Sequence, residues 1–448
     1  MEPNAVPKTL AYANRNTSGG AVAYVLKSFP RLSEMFIASE IYLLEQAGVP
    51  LRLYVVKPPK NEAHHEVVDR INAKPEHLPH LSSLSGASLH RWLARNLPSF
   101  LQGLWQCLVR RPVGLARAGW LASAQAGRAS SLGIPRRAYL KEFLQATALA
   151  AKLLRAGDVR HLHAHFCHWP ATVTWLASVI TGIPFSFTAH AKDIYCEGHN
   201  PAGLLEQKMD AARFVVTCTE ANRLHLQKLS KTKVHCIYHG LNADLSRLIE
   251  ERSATPARNG NLRALAVGRL VRKKGFDVFV DACGILKRRG VTFEAVIVGK
   301  TGEHEIEIKK RIARHELDNY MHLAGPMSQK ELLDEYQRAT AFCLPCRILE
   351  DGDRDGIPNV LAEAMACGLP VVSTAVSGIP EIVTNNINGL LVPPDDPEAL
   401  ADALLRLNND PALAQQLSLR GRKVVQERFD GEKSARQLAE LFCQATCV

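Results

Sequence analysis

Residues 355–374 read DGIPNVLAEAMACGLPVVST, and this stretch decides the fold class. After an acidic loop with a glycine, Asn359 to Cys367 has helix-forming composition, with Pro358 suited to the first helical position and Gly368 to the end. The following LPVVST, residues 369–374, is a short apolar run of the kind that forms a buried strand. A loop, a helix and a buried strand in succession predict one repeat of an α/β protein.

The same alternation extends in both directions along the chain. Amphipathic stretches such as EMFIASEIYLLEQAG and PATVTWLASVITG separate short apolar runs. The strand candidates are AVAYVLKSF, PLRLYVV, HLHAHF, PFSFTAH, FVVTCT and KVHCIY in the first half, and RALAVGRL, FEAVIVG, MHLAG, ATAFCLPC, LPVVST and GLLVPP in the second. Apolar strands that alternate with helices predict parallel sheets covered on both faces.

A polar break divides the 448 residues into two halves of similar size. The segment ERSATPARNGN, residues 251–261, has the composition of a linker. We therefore predict two doubly wound, Rossmann-like domains, 1–255 and 256–448, with C-terminal helices from about Pro411. Ligands of such sheets bind at the carboxyl ends of the strands, so we expect the site in a cleft where the two domains face each other.

The composition favours a cytosolic protein. The N-terminal residues lack the apolar segment of a signal peptide, and no uncharged apolar run is long enough to cross a membrane. Eleven cysteines, an odd number, indicate free thiols in a reducing compartment. The C-x-x-C pair Cys343 and Cys346 lacks a second pair nearby, so packed thiols at a strand end explain it better than zinc.

The net charge of +11 (55 − 44) is concentrated in one helical insertion of about residues 88–155. From Arg91 to Arg155 eleven Lys or Arg and one acid, Glu142, give 11 − 1 = +10, among many Trp and Leu residues. This pattern fits contact with an anionic membrane surface, and equally a basic insertion packed on its own domain. No recognised nucleic-acid motif accompanies it, so we expect no nucleic-acid partner.

The acidic loop DGDRDGIPNVLAE, residues 351–363, resembles a calcium loop at first sight. Asp351, Asp353, Asp355 and Gly356 match the EF-hand spacing, but Glu363 comes one residue late and falls on the predicted helix. The loop leads instead into a helix N-terminus, which presents free N–H groups and suits a phosphate. Asp351 and Asp353 also spell D-x-D, a metal-binding motif of a different fold, and we interpret this as a coincidence.

A second phosphate-binding element precedes this loop in the same half. GRLVRKKG, residues 268–275, follows the strand RALAV and places Arg269 and Lys274 at a strand-to-helix turn. Two fixed cations near a helix N-terminus could hold a diphosphate and stabilise it as a leaving group. Taken alone, the segment would be interpreted as a solvated basic turn.

Together, GRLVRKKG and DGIPNVLAEAMACGLPVVSTAVSGIPEIV resemble the nucleotide-sugar half of the family-4 retaining glycosyltransferases, which have the GT-B fold. YVLKSFPRLSEMFIASEI, HAHFCHWPATVTWLA, GIPFSFTAHAKDIY and VVTCTEANR resemble members from bacterial exopolysaccharide and lipopolysaccharide assembly. The resemblance covers nearly the whole chain, and its C-terminal motif is the specific part.

The resemblance implies roles for the residues of the second half. Glu363 would bind the ribose hydroxyls, and Asp355 stands where most members have a Glu that faces the donor sugar. Arg269 and Lys274 match the diphosphate-binding pair. The remaining donor-binding residues implied are Gly268, Asn359, Val360, Leu361, Gly378 and Glu381.

In the first half, the resemblance implies that His190 is the active-site histidine close to the reacting carbon. His163 and His165, with His168 nearby, raise the possibility of zinc. We expect no metal, because a strand alternates its side chains and the family argues against it. The loop KSFPRLSEMF lacks the Gly pair of many members, and it offers possible donor or acceptor contacts: Ser28, Arg31, Ser33 and Glu34.

These inferences predict a metal-independent, retaining hexosyltransferase that moves a sugar from a nucleotide-diphosphate sugar to a glycan or lipid-linked glycan. No cofactor is expected, and association with the inner face of the membrane is a second expectation. Two alternatives stay open: a nucleotide-sugar epimerase of the same architecture, and a non-catalytic scaffold at a membrane surface.

Overall fold

The computed structural model describes residues 20–31, 34–58, 66–82, 88–130, 137–241, 245, 249 and 261–446. By its internal contacts the chain forms two compact units. The first contains residues up to Thr217, Arg223–Ile237 and Glu432–Val448, and the second contains Cys218–Asn222 and Tyr238–Gly431.

The first unit is built on a seven-stranded parallel sheet with the order β3-β2-β1-β4-β5-β6-β7. Its strands are β1 Ala21–Leu26, β2 Leu51–Val55, β3 Pro75–His77, β4 Val159–His165, β5 Phe185–Ala189, β6 Val215–Thr217 and β7 Val234–Cys236. Every residue of β1 is buried. Its side chains enter two different cores by alternation, since Ala21, Ala23 and Val25 pack into one core and Val22, Tyr24 and Leu26 into the other.

Helices cover both faces of this sheet, as parallel strands require. They are α1 Met35–Gln46, α2 Glu66–Asp69, α3 Leu89–Asn96, α4 Pro98–Arg110, α5 Pro112–Arg128, α6 Ala138–Ala156, α7 Trp169–Thr181, α8 Ala191–Tyr195 and α9 Leu204–Ala211, with α10 Glu220–Leu229 between β6 and β7. Four consecutive helices, α3 to α6, occupy the segment between β3 and β4, where we predicted the basic helical insertion.

The second unit contains a six-stranded parallel sheet with the order β10-β9-β8-β11-β12-β13. The strands are β8 Leu262–Val267, β9 Phe293–Val298, β10 Met321–Gly325, β11 Ala341–Leu344, β12 Val371–Thr374 and β13 Leu390–Val392. The helices are α11 Phe276–Arg288, α12 Glu305–Arg314, α13 Gln329–Arg338, α14 Asn359–Ala366, α15 Ile379–Ile382, α16 Pro397–Asn409 and α17 Pro411–Arg428. Both sheets reverse their strand order once, between β1 and β4 and between β8 and β11, and such reversals mark the usual ligand crevice.

The predicted α/β class and the two Rossmann-like sheets are confirmed, and all twelve predicted runs contain a strand. The edge strand β3 was missed, because PEH is polar and carries none of the apolar signal of a strand. Pro358 was placed one position too far into the helix. It precedes α14 in an extended conformation, and Asn359 is the first helical residue.

The last helix, α18 Gly431–Thr446, differs from the predicted domain division. We assigned the C-terminal helices to the second domain, whereas α18 packs into a core of the first unit through Leu438, Phe442 and Ala445. The second unit begins at Tyr238, before the predicted boundary at 255, and residues 251–260 of the predicted linker lie outside the described residues. No helix among the described residues is long and apolar enough to span a bilayer.

Candidate functional site

Most of the residues predicted to bind a donor lie where the second sheet reverses its strand order. Gly268 and Arg269 directly follow β8, and the acidic loop lies between β11 and α14. Because β8 and β11 are adjacent and parallel, their carboxyl ends bring the basic turn and the acidic loop together.

Two glycines allow the basic turn to pack closely. A Cβ atom on Gly275, which has φ +68°, would lie 1.8 Å from the carbonyl oxygen of Pro345 in the segment after β11. A Cβ atom on Gly268 would lie 3.3 Å from Cε of Lys274. The 3₁₀ turn Arg272–Lys274 can therefore lie against that segment with the Lys274 stem over Gly268.

An ion-pair network joins this turn to the acidic loop. Lys274 Nζ lies 2.7 Å from Asp355 Oδ2, and Lys273 Nζ lies 3.0 Å from Asp355 Oδ1. Lys273 Nζ also lies 3.0 Å from Asp353 Oδ1 and donates to the carbonyl of Arg354 at 3.3 Å. Only 19% of the Asp355 side chain and 7% of the Lys273 side chain are exposed. The carboxylate of Asp355 is thus held between two ammonium groups.

The network fixes the ionisation of its members. Burial opposes ionisation of Asp355, but Lys274 and Lys273 outweigh it and hold the pKa of that carboxyl well below its usual range. Burial likewise opposes the charge of Lys273, but Asp355 and Asp353 raise its pKa. Asp355 and Lys273 therefore both carry their charges at neutral pH.

Arg269 contrasts with this network. Its side chain is exposed, and within the described part of the chain no carboxylate lies within ion-pair distance of it. Lys273 and Lys274 are paired with Asp353 and Asp355, whereas the exposed guanidinium of Arg269 is available to an anionic ligand.

The N-terminus of α14 lies next to this network in the chain. The first N–H groups of a helix have no partner within the helix, and Asn359 and Val360 supply two of them here. The N–H of Leu361 instead donates to the carbonyl of Pro358 at 3.0 Å, so it is already engaged within the first turn. The arrangement of cations and helix N-terminus is suited to a phosphate group.

Glu363 lies one turn further along α14 and has a partner that the sequence did not suggest. The hydroxyl of Tyr336, a fully buried residue of α13, donates to Glu363 Oε2 at 3.0 Å. Burial raises the pKa of Glu363, while the Tyr336 hydroxyl and Lys274 act in the opposite direction. Tyr336 thus orients the carboxylate, and among the described residues no donor hydrogen-bonds to Oε1.

Gly378 and Glu381, the other predicted donor-binding residues, have structural contacts. The carboxylate of Glu381 accepts from the backbone N–H groups of Glu220 and Ala221 at 2.7 and 2.8 Å, and from the Tyr238 hydroxyl at 2.9 Å. A Cβ on Gly378 would lie 2.6 Å from Thr219 Cγ2. The Glu381 side chain therefore holds residues 219–222 in place, a role that the sequence did not predict.

The contacts of the acidic loop are those of an ion-pair network. Asp351 Oδ1 accepts from the N–H of Asp353 at 3.0 Å, which closes a local turn, and Lys273 Nζ donates to the carboxylate of Asp353.

Cys343 and Cys346, at the end of β11, are buried free thiols, and burial raises the pKa of Cys346 to about 12. The prediction of packed cysteines is confirmed.

In the first unit, His190 follows β5 and precedes α8. Its backbone N–H donates to Asp193 Oδ1 at 2.8 Å, and its ring stacks near that of His165, with the facing nitrogens 3.4 Å apart. Asp193 is buried and also accepts from the N–H of Cys167 and contacts His168 Nδ1 at 3.6 Å. Burial of Asp193 opposes its ionisation, but His168 and His190 outweigh this effect and lower the pKa of its carboxyl. Asp193 is therefore an anion, and in this form it contacts both His190 and His168.

The histidines of β4 form a buried ladder on one face of the strand. His163 contacts the hydroxyls of Ser186 and Thr188 at 2.8 and 3.0 Å, and His165 Nε2 contacts Glu40 Oε1 at 2.7 Å. Our argument that strand alternation separates these rings was wrong, because residues two apart share a face. The ring nitrogens of His163 and His165 are engaged with protein groups, which indicates a structural role for these two side chains.

The structure describes three of the four polar residues that we predicted in the loop after β1. Ser28 is half-buried, Arg31 pairs with Glu34 at 2.5 Å, and Ser33 lies outside the described residues. Lys27, which we did not single out, lies at the first sheet's reversal point with Nζ 3.4 Å from His168 Nε2. Burial lowers the pKa of both side chains.

The comparisons with known proteins agree with this arrangement. Residues 249–424 match the model of the family "Glycosyl transferases group 1". The chain is 31% identical over 430 residues to the amylovoran biosynthesis glycosyltransferase AmsK of Erwinia amylovora, covering 94% of this chain and 98% of AmsK. It is 27% identical over 437 residues to the putative colanic acid biosynthesis glycosyltransferase WcaL of Escherichia coli K12, covering 94% and 99% of the two chains.

A solved structure extends the likeness to the whole fold. HepE of Anabaena, crystallised with UDP and glucose, superposes with a TM-score of 0.65 at 15% identity over 95% of this chain and 99% of HepE. At that identity the likeness concerns the fold, which is GT-B. With a relative above 30% identity along nearly its full length, two parallel-sheet units and a matching second half, the chain belongs to the group 1 glycosyltransferases.

Proposed function

We propose that this chain is a retaining glycosyltransferase that moves a hexose from a nucleotide-diphosphate sugar to a growing, lipid-linked glycan in surface polysaccharide synthesis. The observation that carries the proposal is the meeting of Arg269, the Lys274–Asp355 pair and the N-terminus of α14 at the reversal point of the second sheet. The names of AmsK and WcaL, which refer to amylovoran and colanic acid, support the acceptor class.

In this proposal the diphosphate binds among the cations. Arg269 is exposed and could pair with one phosphate, while the N–H groups of Asn359 and Val360 cap the other. Lys274 would exchange part of its contact with Asp355 for the phosphate. Gly268 would allow the close approach of this lysine.

The two acids would divide the rest of the donor between them. Glu363, oriented by Tyr336, would accept hydrogen bonds from the ribose hydroxyls. Asp355 would contact the transferred sugar while remaining paired with Lys273. Because Asp355 is one methylene shorter than the Glu of most relatives, the fit to the sugar would differ from theirs.

The transfer step follows from the residues proposed around the diphosphate. The bond between the anomeric carbon and the terminal phosphate oxygen breaks, and the acceptor hydroxyl forms its bond to that carbon on the same face. The departing phosphate takes the proton of the hydroxyl. Arg269 and Lys274 stabilise the charge that develops on this phosphate, and we propose that they do so without a divalent ion.

His190 and a lipid-linked acceptor complete the proposal. The resemblance assigns His190 to the reacting sugar, and its position at the end of β5, held through Asp193, gives it a fixed place in the first unit. A lipid-linked acceptor would bring a cytosolic enzyme to the inner face of a membrane.

A panel of nucleoside diphosphates tests the donor site. A ligand that binds only the folded protein raises its melting temperature, so UDP, GDP, CDP and ADP should separate by the shift that each produces. The preferred nucleotide should then form as product when its sugar conjugate is mixed with acceptor-bearing membrane extract. Absence of any shift would contradict the donor site, and a changed sugar in the absence of acceptor would show epimerisation instead.

A further inference from the structure

Helices α4 and α5 carry apolar side chains on their outward faces as well as on their inward faces. On α4, Leu101, Trp105 and Leu108 follow each other at helical spacing and are all exposed, with 66% of Trp105 accessible. On α5, Val113 and Trp120 are exposed, and 67% of Trp120 is accessible. Isolated exposed apolar residues are ordinary, but two stripes on consecutive helices are a feature that needs a partner.

These stripes are not unused parts of the core. The inward face of α4 already packs through Phe100 and Cys107, and a Cβ on Gly103 would touch the backbone of Ala148 in α6 at 3.4 Å. The inward face of α5 lies on α7, where a Cβ on Gly114 would lie 2.5 Å from the carbonyl of Ile180. Both helices are therefore seated closely on the unit, and their outward faces point away from it.

The charges around the stripes have a single sign. Residues 88–130 contain six arginines and no Asp or Glu. Arg110 and Arg111 stand in the turn where the stripes meet, between Val109 and Val113, and Arg117 is exposed one turn before Trp120. Within the described residues no carboxylate lies within ion-pair distance of Arg111 or Arg117. Their charges are thus available to an external anion.

We propose that the outward face of α4 and α5, formed by the two stripes and their arginines, docks on an anionic lipid bilayer. Both helices lie along the surface, with the Trp and Leu side chains at the level of the acyl boundary and the guanidinium groups at the lipid phosphates. Charge complementarity favours a lipid bilayer as the partner, because a surface of uniform negative charge attracts an arginine-rich face without acids. The inference rests on the proposed function, since a lipid-linked acceptor gives such docking its purpose.

Flotation of the full chain with lipid vesicles tests the proposal. The protein should float with vesicles of phosphatidylcholine and phosphatidylglycerol, bind weakly to phosphatidylcholine alone, and be released by salt. Each basic residue near an anionic surface contributes about a factor of five in affinity, so Arg111→Gln with Arg117→Gln should lower partitioning about 30-fold. Trp105→Gln with Trp120→Gln should also abolish flotation.

Matched controls separate this face from general charge and hydrophobicity. Lys310→Gln with Arg314→Gln removes the same charge from the exposed side of α12, and Ile306→Gln with Leu419→Gln removes exposed apolar groups of the second unit. Both controls should float like the wild type. Equal losses in the controls, or binding that ignores lipid charge, would overturn the proposal.

Two further measurements make each outcome decisive. Brominated lipids should quench the fluorescence of wild-type protein more than that of Trp105→Phe with Trp120→Phe, because the three remaining tryptophans are less accessible: Trp92 and Trp175 are buried and Trp169 is half-buried. UDP affinity should be unchanged in all of these variants, so a failed donor site and a failed docking face give different results. A protein dimer that the Trp variants dissociate, without vesicle binding, would show that a second copy occupies the face instead.

Discussion

Replacing Asp355 by Asn removes one charge from the ion-pair network and preserves its shape. Lys273 keeps Asp353 at 3.0 Å, whereas Lys274 loses the carboxylate oxygen at 2.7 Å. A hydrogen bond to a charged group contributes about 1.5–3 kcal/mol, and we expect the free energy of unfolding to fall by this amount at neutral pH. Urea titration of the wild type and the variant measures the difference.

The same substitution should strengthen the binding of free UDP. In the wild type, Asp355 neutralises part of the charge that Lys274 offers to a phosphate. If about 1 kcal/mol of this interaction passes from Asp355 to a more solvent-exposed phosphate, UDP binding should tighten about five-fold. Transfer from the nucleotide sugar should nevertheless fall, because the sugar loses its carboxylate partner. Calorimetric titration and a transfer assay measure the two effects.

The pH dependence of stability identifies the charge as the cause. The pKa of Asp355 is lower in the folded protein than the unfolded value of about 3.9. Its contribution is therefore complete above that unfolded value and is lost as the pH falls towards the folded pKa. The difference in unfolding free energy between wild type and Asp355→Asn should be constant above about pH 5 and shrink below about pH 4.

Asp158 offers a matched control. Its carboxylate also makes contacts of 2.8 and 2.9 Å, to Arg52, but 48% of its side chain is exposed. Solvent screening limits such pairs to about 1 kcal/mol or less, so Asp158→Asn should cost less stability and leave UDP binding unchanged. If Asp355→Asn weakens UDP binding, or costs no more stability than the control, the proposed opposition between Asp355 and the phosphate is wrong.

Three other predictions concern the same reaction. Glu363→Ala should weaken UDP binding by about 1.5–3 kcal/mol, and Tyr336→Phe by less, because the carboxylate stays and only its orienting hydroxyl is lost; calorimetry that ranks them in the opposite order would contradict the ribose assignment. His190→Ala should lower transfer about 100-fold, the size typical of one lost donor at a reacting centre, with UDP affinity unchanged; a parallel loss of UDP affinity in calorimetry would contradict its assignment to the sugar. A chelator should leave turnover intact in the transfer assay, and activity lost with chelator and restored by Mg²⁺ would show that Arg269 and Lys274 do not replace a metal ion.

The fold could be predicted because its strands are buried on both faces. Strands such as AVAYVL carry continuous apolar signals that local composition reveals. The unit on which α18 packs could not be predicted in this way. Its Leu438 and Phe442 show that the helix packs on something, but periodicity does not tell which sheet it packs on.

The part of the site that lies within recognisable sequence motifs could be predicted. Arg269, Lys274, Asp355 and the N-terminus of α14 meet at one sheet edge, as their spacing suggested. Their partners could not be predicted, because contacts between residues far apart in the chain leave no local pattern. Tyr336 lies 27 residues before Glu363 in an otherwise ordinary amphipathic helix, and Lys273 is indistinguishable by sequence from its neighbour Lys274.

The packing of α18 also sets the order in which the protein can mature during translation. Phe442 lies edge-on to Tyr24, 5.9 Å away between ring centroids, so the first and last parts of the chain share one core. A ribosome that has finished β7 must still add about 200 residues, which takes about 10–40 s at usual rates. During this interval the nascent first unit exposes the apolar surface that α18 will cover. The unit that is synthesised first is therefore the last to be completed, and it is the one that chaperones would need to protect.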